Sequence, residues 1–105
     1  MNPISLIIDA NGKTGNIYNS VNITGQSTTL VKTGAGLLHS ITFNRPVATG
    51  TAKIADALTD TTPVLGLITT PANPMPVTLI YDIRFTTGLT IVTGTANQDI
   101  TVAYS

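Results

Sequence analysis

The side chains best suited to chemistry in this 105-residue chain are one histidine, His39, and five aspartates, Asp9, Asp56, Asp60, Asp82 and Asp99. A nucleophile–base pair or a metal centre needs the imidazole beside a hydroxyl, a thiol or several carboxylates. His39 instead stands in Leu37-Leu38-His39-Ser40-Ile41-Thr42-Phe43, where strand alternation puts it on the face of Leu37, Ile41 and Phe43. That pattern predicts a structural imidazole, buried or at a sheet edge and bonded to backbone. Most of the aspartates fall at turn-like positions, where a short carboxylate accepts from nearby amides. No pair has a spacing that suggests a glycosidase acid and nucleophile, and Asp56 to Asp60 lacks the alternating ligands and terminal Glu of a calcium loop. Gly12-Lys13-Thr14 matches the tail of a P-loop, but Ile7 stands where the first glycine belongs and no helical pattern follows. Asn22-Ile23-Thr24 matches a glycosylation acceptor, which matters only in an exported chain. These readings leave no catalytic residue, no cofactor-binding residue and no metal ligand, and the expected protein is not an enzyme.

Two other groups of residues are candidates for contact with a partner. Asp82 and Arg84 share the polar face of one strand, as a solvated pair or as charges that meet a neighbouring subunit. Ile4, Leu6 and Ile8 form a short apolar alternation suited to augmenting a neighbour's sheet edge. A carbohydrate-binding reading needs exposed aromatic platforms. The chain has no Trp, and Phe43, Phe85, Tyr81 and Tyr104 fall on expected core faces, which leaves Tyr18 as the free aromatic.

Composition constrains the elements that position these residues. Hydrophobic residues make up 42%, a normal globular share, but charged residues only 10%, against roughly 25% in ordinary soluble domains. Thr, Ser and Asn supply the polar surface, there is no Glu, and Lys is limited to Lys13, Lys32 and Lys53. Threonine is β-branched and suits a pleated surface better than a helix. Five basic and five acidic residues cancel, so no field draws nucleic acid or an anionic membrane, and little repulsion opposes self-association. The absence of cysteine excludes disulfides and thiolate metal sites. Met1 to Ala10 has no basic flank and only a short apolar run, unlike a signal peptide or a membrane span. Synthesis in a cytoplasm without export is the expectation.

Turn clusters divide the chain into short β-type runs. These are Ile4–Ile8, Ile17–Thr24, Thr28–Lys32, Leu37–Phe43, Ala52–Ala57, Val64–Thr69, Val77–Phe85, Leu89–Thr93 and Ile100–Tyr104. The clearest is Val77–Phe85, with Val77, Leu79, Tyr81, Ile83 and Phe85 on one face and Thr78, Asp82 and Arg84 on the other. Ala55-Asp56-Ala57-Leu58 could make one helical turn, but no helical period is sustained. The expectation is one all-β domain over residues 1–105, an antiparallel two-sheet, jelly-roll-like β-sandwich of about eight short strands. Residues 1–27 would be part of it, as an anchoring segment or added strands.

From Thr28 onward the chain resembles small structural proteins of tailed-bacteriophage virions, of the capsid decoration, cement or head-fibre kind. The resemblance rests on Thr29-Leu30-Val31-Lys32-Thr33-Gly34-Ala35-Gly36-Leu37-Leu38-His39-Ser40-Ile41-Thr42, Pro76-Val77-Thr78-Leu79-Ile80-Tyr81-Asp82, Phe85-Thr86-Thr87-Gly88-Leu89-Thr90-Ile91-Val92-Thr93 and Ala96-Asn97-Gln98-Asp99-Ile100-Thr101-Val102. It implies a sandwich on the capsid exterior, bound to the major capsid protein or other virion proteins, as a homo-oligomer with a trimer ahead of a dimer. A tail, collar or fibre position is the alternative within the same resemblance. The chain departs from that pattern between Lys53 and Leu67, where Ala-Asp-Ala-Leu-Thr-Asp replaces an Asp-Asn-type hairpin.

Overall fold

Threonine-rich, helix-poor segments fold into six strands in the computed structural model, which describes residues 18–105. They are β1 (Asn19–Thr33), β2 (Gly36–Arg45), β3 (Thr51–Ala55), β4 (Val64–Thr69), β5 (Val77–Phe85) and β6 (Gly88–Tyr104). All pairings are antiparallel and join one sheet in the order β4-β3-β6-β2-β5, with β1 along the other side of β6.

This corrects the expected two-sheet sandwich of about eight short strands. The sheet is single and six-stranded, and it curls into a half-barrel. Two merged strands explain most of the difference. The runs Ile17–Thr24 and Thr28–Lys32 belong to one strand, β1, because Gly25 does not end it. Gly25 takes φ 76° and a bulge passes between Gly25 and Ser27. Leu89–Thr93 and Ile100–Tyr104 are likewise one strand, β6, bent where Thr95 takes φ 69°. The strand expected at Ile4–Ile8 lies outside the described residues.

The bend in β6 produces the curl. Its first half, Thr90 to Gly94, pairs with β3, and its second half, Asp99 to Tyr104, pairs with β2. One strand therefore belongs to two wings, β3–β4 and β2–β5, and the wings fold toward each other over a shared core. That core contains Leu38, Ile41, Phe43, Ile54, Phe85, Leu89, Ile91, Ile100 and Val102, all essentially inaccessible to water. Burying each such side chain contributes about 1.5–3 kcal/mol. A methyl group at Gly66 of β4 would come within 2.9 Å of the Tyr81 hydroxyl of β5, so the wings touch at a point where glycine alone fits.

Candidate interaction surfaces

A half-barrel leaves strand edges uncovered. Among the described residues β1 and β5 each lie at an end of the sheet, as does β4, which pairs with β3 alone. Unpaired N–H and C=O groups along such an edge can accept a further strand. The β5 edge carries the expected pair Asp82 and Arg84, both exposed, with Leu79, Tyr81 and Ile83 packed toward the core. Val77, expected on the core face, is 47% exposed instead. Ile4, Leu6 and Ile8 lie outside the described residues.

His39 departs from its expected place. The β2–β5 and β2–β6 ladders both shift register between Leu38 and Ser40. This bulge inserts His39 as an extra residue, so the core receives Leu38, Ile41 and Phe43 while Leu37 stays half-buried. The imidazole turns to other side chains. Its Nδ1 lies 2.5 Å from Asp82 Oδ1, and its ring stacks on Tyr18 with centroids 4.0 Å apart and planes 3° from parallel. Asp82 meets it from a left-handed backbone, φ 47°, a conformation that Asp tolerates better than most residues. Tyr18, His39 and Asp82 thus form one cluster across the start of β1, β2 and β5. His39 covers one face of Tyr18, the free aromatic of the carbohydrate reading.

The β4 edge is different in kind. Val64–Thr69 contains no charged residue, and its register shift against β3 falls at the beginning of the strand. Leu67 is 65% exposed and Val64 45%. Beyond the C-terminal end of β4 lies a cleft of about 230 Å³ whose lining includes Ile68, Pro71, Pro74, Met75, Val77 and Leu79. Met75 at its lip is 77% exposed. Buried Thr70 fixes this end: its N–H donates to Gly50 O at 2.9 Å, and its hydroxyl donates to Val47 O at 2.5 Å.

Two aspartates do structural work at a distance. Asp56, in the bend after β3, accepts hydrogen bonds from the amides of Thr86, Thr87 and Gly88 and from the Thr86 hydroxyl, at 2.8 to 3.3 Å. The Thr87 amide, helped by those of Thr86 and Gly88, holds this carboxyl below the ordinary 3.8 despite its desolvation. The amides Asp56 accepts from are not the nearby ones its turn-like position predicts: they lie thirty residues away and tie the β3–β4 wing to the β5–β6 connection. Asp99 on β6 accepts from Asn22 Nδ2 at 2.6 Å and Asn44 Nδ2 at 3.1 Å, joining β1, β6 and β2. Those two amides, Asn22 first, lower its carboxyl below 3.8, and Arg45 adds to the effect. The Asn22 side chain of the apparent glycosylation acceptor is therefore occupied within the sheet. Asp60 pairs with Lys53.

Among the described residues no three His, Cys, Asp or Glu side chains gather as metal ligands, and no helix is long and apolar enough to cross a membrane. No known protein family, curated protein or solved structure matches this chain.

Proposed function

We propose that the chain is a non-enzymatic structural component of a bacteriophage particle, a decoration or cement protein that binds the outside of the capsid. The observation that supports docking to protein is the β4 edge: an uncharged strand with exposed Val64 and Leu67, running into an apolar cleft. Strand addition there would bring main-chain hydrogen bonds for affinity and a cleft for one apolar side chain. The capsid itself enters from the sequence resemblance. A neutral chain adds contact area to a shell without adding repulsion.

In this reading the chain is made in the host cytoplasm and joins the particle through the major capsid protein or another virion protein, with no nucleic-acid or membrane partner. Electron cryo-microscopy of particles from the virus that encodes the chain tests it. Density for the half-barrel on the capsid exterior is the expected result. Density at the tail, collar or fibre would move the protein within the virion, and particles lacking the chain would overturn the reading.

A further inference from the structure

We propose that Met75 is a redox-sensitive site: oxidation of its thioether to the sulfoxide shuts the apolar cleft to its guest and releases the chain from its partner, while the fold stays intact. This rests on the reading of the β4 edge and its cleft as the surface that docks on the capsid.

The chain has no cysteine and no tryptophan, and its two methionines are Met1 and Met75. Met75 is thus the one thioether among the described residues. At 77% exposure it is also the most accessible large hydrophobic side chain there. An exposed thioether reacts readily with hydrogen peroxide. The step balances without a cofactor. A sulfur lone pair attacks one peroxide oxygen, the O–O bond breaks, one oxygen stays on sulfur and the other leaves as water. Sulfur loses two electrons and peroxide gains them.

Position gives that change a consequence. Met75 lines the cleft with Ile68, Val77 and Leu79. Pro74 and Pro76 flank it, and a residue before proline is held to extended backbone, which fixes the thioether at the lip. In the reduced state a soft, apolar side chain covers any apolar group that enters. The sulfoxide instead turns a polar S–O group on the same lining. Two hydroxyls belong to that lining, and neither is a ready partner. Thr70 already donates to Val47 O, and Thr69 falls on the opposite face of β4 from Ile68. A guest seated over the sulfoxide would therefore bury an unpaired polar group. Folding is spared, because Met75 lies outside the core.

Peroxide treatment of the full chain, with the sulfoxide mapped by peptide mass spectrometry, tests the proposal against purified capsids that lack the chain. The dissociation constant should rise at least about tenfold once Met75 is converted, with far-UV circular dichroism unchanged. The two methionine sulfoxide reductases, one for each epimer, should restore binding. In Met75→Leu the same treatment oxidises Met1 alone and should not alter that variant's own affinity. Met75→Gln, with a polar side chain of similar length, should bind as weakly as the sulfoxide. Equal affinity before and after conversion of Met75 would overturn the proposal, as would a loss shared by Met75→Leu, a loss that the reductases do not reverse or a loss that accompanies unfolding. A reduced chain that fails to bind capsids would overturn the capsid reading itself, and the switch with it.

Discussion

The β4 and β5 edges are the two ends of one strand order, and they are finished in opposite ways. Along β5 the ladder to β2 is interrupted between Ile80 and Ile83, Asp82 sits at φ 47°, and Asp82 and Arg84 place charge on the rim. Bulges, charge and local twist are the usual means of keeping a free edge from pairing. Pro71, Pro74 and Pro76, which cannot donate to a ladder, precede β5. Along β4 the residues from Gly66 to Thr69 pair regularly with β3, carry no charge and expose Leu67. The contrast teaches that scarcity of charge is not spread evenly over the molecule. Two of the few charged residues, Asp82 and Arg84, stand along the β5 edge. The β4 edge has none.

The largest effect that would sharpen this comparison comes from the inner end of β5. Phe85 is fully buried, so Phe85→Ala should cost about 3–5 kcal/mol, whereas Leu67→Ala on β4 should change monomer stability by less than about 0.5 kcal/mol, both read by urea denaturation. Similar losses at the two sites would mean that Leu67 already has cover within the monomer.

Next in size is the tie between the wings. Asp56→Ala leaves the Thr86, Thr87 and Gly88 amides without their acceptor, and the thermal midpoint should fall clearly. The pH dependence has a definite sign. Asp56 and Asp99 both titrate below 3.8 when folded. Their contribution is therefore complete above the unfolded value and is lost as pH falls through the folded values. Acid unfolding followed by circular dichroism should begin below about pH 4 and be less steep in Asp56→Asn. An Asp56→Asn profile identical to that of the parent chain would refute the tie.

Smaller effects concern the cluster that shapes β5. Asp82→Val puts a β-branched residue at positive φ and removes the partner of His39, and should cost about 1–2 kcal/mol, while Asp82→Asn should be milder. Tyr18→Ala removes the stack on His39 and should cost about 0.5–1.5 kcal/mol. Equal stability of Asp82→Val and Asp82→Asn would show that the left-handed backbone at this bulge is incidental.

The parts of the fold legible in the sequence were strands bracketed by clear turn residues, Thr62-Pro63 and Pro71 around one and Pro76 and Thr87-Gly88 around the other. Val64–Thr69 and Val77–Phe85 occur with the bounds their patterns predict. Legibility failed at three places where the backbone departs from a regular ladder. Gly25 reads as a break, yet its positive φ lets β1 continue through a bulge. His39 reads as a core position, yet the bulge at that residue exchanges the faces on its two sides. Gly94-Thr95-Ala96-Asn97 reads as a turn, yet β6 bends there and serves both wings, which is why two expected layers are one curled sheet. The site was legible only in pieces. Tyr18, His39 and Asp82 each stand out in the sequence, but nothing in their spacing shows that they meet. The uncharged run of β4 was readable, but its position at an edge follows from strand order, which alternation does not encode.

Hydrogen exchange of backbone amides, compared between the free chain and the chain bound to capsids, tests most directly whether β4 is the docking edge. Outward-facing amides of Val64–Thr69 are expected to gain protection on association, while those of β5 and β1 stay unchanged. Protection that appears along β5 or β1, with β4 exchanging at the same rate in both samples, would contradict the account.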